Sequence, residues 1–323
     1  MKTKLDIFSG FLGAGKTMLI KKLIGERLYG ENIVIIENEF GEVGIDGGIL
    51  KRTNIEVKEV NAGCICCSTS GDFKDALEEV LKTYKPHRIV VEPSGVGKLS
   101  DILTLINKSD LKNQITLNMI VTLVDVTKFE LYNLNFSEFY KNQITNAKTI
   151  VLSRTQNADM SQLEKVVSEI HKLNEKANII TTPWDNLDGS IIVQTAEENT
   201  KQDLLEKVNL LKKPIGINVG KLQALKESEG HTASEVFSTW GLETPKVFTE
   251  LILNRVFKKL SQTSEYGTVL RAKGIVQYEN NGWLQFDYVP GEFQIRETTP
   301  DYTGRICVIG NKLKKENLSK LFN

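Results

Sequence analysis

The chain has 323 residues, more than one hydrophobic core usually serves, so a large domain joined to a smaller one is expected. Forty-one basic residues balance forty-one acidic ones, which excludes an overall field that would draw the protein to nucleic acid or to an anionic membrane. Hydrophobic residues at 40% and charged residues at 25% are ordinary globular values. The N-terminal run MKTKLDIFSGFLGAGKT is short and is broken by Asp6 and by glycines, so it reads as neither a signal peptide nor a spanning helix. The expected location is therefore the cytoplasm, with no nucleic-acid or membrane partner, where thiols stay reduced.

The first half alternates apolar, β-rich runs with helical patterns. Strands are predicted over Leu5 to Ser9, Ile33 to Glu37, Ile55 to Val60, Arg88 to Glu92, Met119 to Asp125 and Thr149 to Ser153. Between them, Leu19, Ile20, Leu23, Ile24 and Leu28 recur on one helical face, as do Phe73, Leu77, Val80 and Leu81. The alternation predicts an α/β fold, a mostly parallel sheet covered by helices on both faces. A strand over Asn178 to Thr181 and a helix around Leu204 to Leu211 complete a domain set at residues 1–212. Residues 213–232, with Pro214, Gly216, Gly220 and Gly230, read as a linker to a smaller α+β domain at 233–323. There a strand near Val236 to Trp240 and a helix from about Pro245 to Leu260 are expected. Antiparallel strands then follow over Thr268 to Tyr278, Trp283 to Val289, Glu292 to Glu297 and Arg305 to Ile309, and a last helix lies near Leu318.

Gly10 to Thr17 reads GFLGAGKT, which fits G-x-x-x-x-G-K-[ST] and lies after an apolar strand and at the opening of a helix. The backbone of Gly10, Gly13, Ala14 and Gly15 can turn its N–H groups toward phosphate, while the helix start adds a positive dipole end. Lys16 supplies a point charge and Thr17 a hydroxyl for Mg²⁺. A nucleoside triphosphatase also needs an acidic group near the metal and a backbone contact at the γ-phosphate. The stretch IVVEPSGVG offers Glu92 for the first and the Gly95 N–H for the second. On the base side, SRTQ stands after the strand ending at Ser153, where guanine-specific members of this fold carry N-K-x-D. Ser153, Arg154 and Gln156 are the base-side candidates. Gln156 offers one acceptor and one donor, a pattern that suits either purine, so GTP and ATP both stay open.

Three of the four cysteines, Cys64, Cys66 and Cys67, crowd into NAGCICCSTS, after a glycine that permits a sharp turn. Three thiolates suit Zn²⁺ or another borderline-to-soft metal, with a fourth position left for a carboxylate, histidine, water or a partner's ligand. The loop IENEFGEVGIDGG offers Glu37, Glu39, Glu42 and Asp46 in the place of a first switch segment. Three other uses of the thiols stay open: an Fe–S cluster, a Cys64–Cys67 redox pair, and inert burial. Cys307, His87 and His171 read as structural.

Taken in order, GFLGAGKT, IENEFGEVGIDG, GCICC, EPSG, LRAKGIV and RICVIG resemble the CobW-like metallochaperone GTPases of the P-loop class, over nearly the whole chain. The resemblance implies weak GTP hydrolysis with Mg²⁺, coupled to transfer of a metal such as Zn²⁺ or Co²⁺. The client it implies is a metalloprotein or a protein of cobalamin metabolism. Carried over residue by residue, the metal ligands are Cys64, Cys66, Cys67 and Glu37 or Glu42. Gly13, Gly15, Lys16, Thr17 and Glu92 form the nucleotide and Mg²⁺ site. Two departures stand out: SRTQ replaces N-K-x-D, and the histidine-rich loop of many zinc-linked members is absent, with only His231 there. A metal-sensing nucleotide switch without transfer and an ATP-using protein of corrinoid metabolism are the rival functions, and exchange through a homodimer is open.

Overall fold

A computed structural model describes residues 2–26, 32–37, 56–59, 71–198, 233–279, 282–301 and 303–322. The expected helix at 204–211 and the linker at 213–232 lie outside the described residues, as do Glu42 and the three clustered cysteines.

Seven parallel strands form the first sheet: β1 (Thr3–Gly10), β2 (Ile33–Glu37), β3 (Glu56–Glu59), β4 (Arg88–Glu92), β5 (Ile115–Asp125), β6 (Thr149–Ser153) and β7 (Asn178–Ile180), in the order β3-β2-β4-β1-β5-β6-β7. Both faces are covered, so the strands are near-continuous apolar runs rather than alternating ones. Leu5, Ile7, Val34, Ile36, Ile89 and Val91 point to one face, against Phe73, Leu77 and Val80 of α2 (Gly71–Tyr84) and Ile102 and Ile106 of α3 (Leu99–Lys108). Their strand neighbours Phe8, Ile35, Val90, Val121 and Leu123 point to the other face. There they meet Leu19, Ile20 and Leu23 of α1 (Lys16–Gly25) and Ile192 and Ala196 of α7, which spans residues 189–198. The helices α4 (Phe129–Asn135), α5 (Ser137–Asn146) and α6 (Met160–Leu173) pack beside β5 and β6.

The smaller sheet runs β12-β11-β10-β13-β8, antiparallel throughout, with β9 pairing parallel to β10. Its strands are β8 (Ser238–Thr244), β9 (Val247–Phe248), β10 (Thr268–Tyr278), β11 (Trp283–Val289), β12 (Glu292–Glu297) and β13 (Gly304–Asn311). Three boundaries correct the sequence reading. Val236 closes a short helix α8 (Ala233–Val236), and the strand begins only at Ser238. The helix expected from Pro245 is α9 (Glu250–Gln262), because Thr249 caps it by accepting from the Ile252 N–H at 3.1 Å. The residues before that cap form β9. In the first sheet, β5 starts at Ile115 rather than Met119, since Asn118 is an extra residue in a bulge opposite β1.

The two sheets share a core. Phe237 meets Phe136 and Phe139 at ring-centroid distances of 5.4 and 5.1 Å, and Leu270, Cys307 and Ile309 join the same cluster as Phe11 and Leu12 of the first glycine-rich loop. Cys307 is buried there as a small apolar group, as expected of a structural cysteine. The last helix, α10 (Lys315–Phe322), buries Leu318 and Phe322 against the smaller sheet. No described helix is long and apolar enough to cross a membrane.

Candidate functional site

All the first sheet's strands end on the same side, and there the candidate residues gather. β1 ends at Gly10, and Gly10, Gly13 and Gly15 have φ of 141°, 73° and 100°, the left-handed region that a side chain disfavours. An added Cβ would lie 2.6 Å from the Leu123 carbonyl oxygen of β5 at Gly10 and 2.4 Å from Val289 Cγ1 of β11 at Gly13. Ala14 is buried and closes the turn, its N–H donating to the Phe11 carbonyl at 3.2 Å. Gly15 caps α1, so the helix's first N–H groups and its positive dipole end open onto the loop.

Lys16 is 5% exposed and folds back over the loop, donating from Nζ to the Gly10 carbonyl at 2.9 Å and, more weakly, to that of Phe11 at 3.4 Å. Thr17 donates from Oγ1 to Glu92 Oε1 at 2.8 Å, joining two candidates that lie 75 residues apart. Glu92 ends β4 and stands in parallel register beside Glu37, which ends β2 and is 6% exposed. In-register parallel neighbours lie about 4.8 Å apart and point the same way, so the two carboxylates share one stretch of the sheet's carboxyl edge.

Gly95 lies directly against the glycine-rich loop, since a Cβ on it would come within 2.9 Å of the Leu12 nitrogen. Its loop is held from behind by a residue the sequence did not single out. The buried Gln143 donates from Nε2 to the carbonyls of Gly95 at 3.1 Å and Gly97 at 2.8 Å. Its neighbour Asn142 accepts from the Ser100 N–H at 3.1 Å.

The base-side candidates separate. Ser153 is buried at the end of β6, whereas Gln156 is exposed in a short turn (Thr155–Asn157). Arg154 bridges the glycine-rich loop, β5 and the smaller sheet. With φ of 56°, it donates from one terminal nitrogen to the Gly13 carbonyl and to Asp125 Oδ2, both at 2.9 Å, and from Nε to Glu292 Oε2 at 2.8 Å. Asp125, 4% exposed, also accepts from the N–H and the hydroxyl of Thr127. Burial first, then the Asp125 charge, pushes the nearby Tyr132 hydroxyl well above its ordinary range, so it stays protonated. Asp125, Gln143 and Glu292 carried no local motif, and only long-range packing reveals them.

Above Lys16 and Thr17 lies a cleft of ≈ 170 Å³ whose far wall comes from the smaller sheet. Among the described residues its cations are Lys16, Lys21, Arg154, Arg271 and Arg296, and its carboxylates are Glu92, Asp287 and Glu292, a net positive balance suited to an anion.

A family model described as "CobW/HypB/UreG, nucleotide-binding domain" matches residues 4–181. The chain belongs to the CobW/HypB/UreG family. The model described as "Cobalamin synthesis protein cobW C-terminal domain" matches residues 237–323, so the second sheet also has its counterpart in CobW proteins. Among similar proteins, the zinc chaperone CobW of Sinorhizobium sp is 31% identical over 197 residues, covering 52% of this chain and 55% of that one. The zinc chaperone YjiA of Escherichia coli is 29% identical over 197 residues, covering 59% and 61%. The zinc-regulated GTPase metalloprotein activator 1 of Schizosaccharomyces pombe is 26% identical over 319 residues, covering 90% and 76%. The chain thus spans little more than half the length of the CobW and YjiA relatives it matches.

Proposed function

We propose that this chain is a GTP-hydrolysing metallochaperone that binds a divalent transition metal, zinc foremost, and delivers it to a client metalloprotein. The observation that carries the reading is the pairing of Glu37 with Glu92 across β2 and β4, with Glu92 in turn bonded to Thr17. The pairing supports the reading because Glu37, a proposed carboxylate ligand, then stands beside the proposed Mg²⁺ ligand Glu92. The names of the relatives, zinc chaperone and zinc-regulated GTPase metalloprotein activator, support the same reading.

In this mechanism the loop's N–H groups and Lys16 hold the β- and γ-phosphates, and the Gly95 N–H meets the γ-phosphate. The Thr17 hydroxyl and the Glu92 carboxylate are hard oxygen donors already 2.8 Å apart, which fits Mg²⁺. Bound there, Mg²⁺ would neutralise charge that develops on the phosphate oxygens. Water attacks the γ-phosphorus, the bond to the β–γ bridging oxygen breaks, and nucleoside diphosphate and phosphate leave. Cys64, Cys66 and Cys67 hold the cargo metal as thiolates, with Glu37 or Glu42 as the carboxylate ligand. Triphosphate binding strengthens the metal site through the neighbouring strand ends Glu37 and Glu92, and hydrolysis weakens it. Ser153 and Gln156 face the base, and Gln156 leaves adenine as an alternative to guanine.

The test is phosphate release from GTP and from ATP by the wild type and Lys16→Ala. Release should be faster from GTP and should fall at least a hundredfold in the variant, which should still bind Zn²⁺ without nucleotide. Equal release by the two proteins would remove the loop from the chemistry, and faster release from ATP would transfer the reading to an adenine nucleotide.

A further inference from the structure

The cleft over the glycine-rich loop has two walls from different parts of the chain. The loop supplies one. The β11–β12 hairpin supplies the other, seated by two contacts: Val289 packs on Gly13, where even one added carbon would collide, and Glu292 accepts from Arg154, which also holds the Gly13 carbonyl. On that hairpin and the neighbouring β10, Asp287 accepts from Arg271 at 3.3 Å through one oxygen and from Arg296 at 2.9 Å through the other. One carboxylate thus presets two guanidiniums that line the same cleft as Lys16, Thr17 and Glu92.

We infer that Arg271 and Arg296 are phosphate-contacting residues, supplied in cis by the smaller sheet, so that the seated hairpin completes the nucleotide site. The inference rests on the nucleotide-binding reading proposed above. Its physical basis is charge, shape and reach. Two guanidiniums flank one carboxylate, leaving one net positive charge in the cleft that Lys16 also lines, and a planar guanidinium with five N–H donors engages a carboxylate and a phosphate oxygen together. At ≈ 170 Å³ the cleft is smaller than the ~300 Å³ at which ligand pockets usually begin. It takes phosphate groups while leaving base and ribose outside. Asp287 acts as a positioning residue, fixing both guanidiniums before nucleotide arrives, so little side-chain freedom is lost on binding.

The experiment compares wild-type full-length protein with Arg271→Gln, Arg296→Gln and Arg296→Lys. It measures binding of a magnesium-bound, non-hydrolysable GTP analogue, of GDP and of guanosine, together with single-turnover GTP hydrolysis. A charge-assisted hydrogen bond is worth enough that each glutamine variant should lose roughly tenfold to hundredfold in affinity for the triphosphate. Guanosine affinity should stay within about twofold, and Arg296→Lys should recover part of the loss, because the charge remains and the fork does not. Loss of guanosine and triphosphate affinity in equal measure would assign the arginines to packing and overturn the inference. So would wild-type triphosphate affinity and turnover in both glutamine variants. Should Arg271→Gln fail to fold, Arg296→Gln carries the test, since the Arg296 side chain is 43% exposed at the hairpin. Failure of the wild type itself to bind the triphosphate would instead count against the nucleotide reading, and the two failures are thereby told apart.

Discussion

Replacing Gly13 by alanine tests whether the smaller sheet is seated on the glycine-rich loop. Two penalties follow from the structure. The residue sits at φ of 73°, and an L side chain in that region costs roughly 1–2 kcal/mol. The new Cβ would lie 2.4 Å from Val289 Cγ1, about 1 Å inside an ordinary carbon contact, and forcing the hairpin away costs ~1–3 kcal/mol. Val289→Ala removes the obstructing methyl groups at a cost of about 1 kcal/mol, since the side chain is only partly buried. The backbone penalty remains in Gly13→Ala/Val289→Ala, but the collision does not. The double variant should therefore be more stable than the sum of the singles by ~1–3 kcal/mol. The assay is equilibrium urea unfolding of the four proteins, comparing midpoints and slopes. Additivity within about 0.5 kcal/mol would refute the contact and, with it, the shared wall of the cleft.

Two further outcomes are expected. Burial raises the Asp6 carboxyl from 3.8 to about 6 against the lowering effects of Arg88 and Asn118, so its contribution to stability is fully present below pH 3.8 and is lost as pH rises through about 6. Asp6→Asn should accordingly gain on the wild type by up to about 3 kcal/mol between pH 4 and pH 7, read as the difference in urea stability, and a pH-independent gap would contradict the assignment. Cys66→Ser should weaken Zn²⁺ binding at least tenfold and flatten its rise with pH, because thiolate ligation releases protons; unchanged affinity would show that Cys66 is not a ligand.

The parts legible in the sequence were those written in local pattern. Strand, glycines and Lys16-Thr17 fall within fifteen residues of one another, and β4 ending in Glu92 has the same local character. The parts that were not legible depend on distance or on small irregularities. Asn118 interrupts the apolar run of β5, yet it is buried because its amide donates to Asp6 Oδ1 at 2.7 Å and to Glu197 Oε1 at 2.9 Å. Pro245 suggested a helix start, but the capping hydroxyl belongs to Thr249, and two residues of β9 are too few to carry a period. Arg154 stood at a base-side position, but its bonds reach back 141 residues to Gly13 and forward 138 to Glu292, which no spacing rule foretells. Gln143 lies on the inward face of α5 and looks in sequence like any helix amide until its two carbonyl partners are known.

In the proposed function, nucleotide and metal are bound by one coupled site. Calorimetric titration of Zn²⁺ into reduced protein, without nucleotide, with a magnesium-bound GTP analogue and with the ATP analogue, tests that coupling. Coupling through the Glu37 and Glu92 strand ends predicts a Zn²⁺ affinity at least fivefold different with the guanine analogue, a coupling of about 1 kcal/mol or more. Equal affinity in all three states would contradict it and leave a metal site that takes no instruction from the nucleotide.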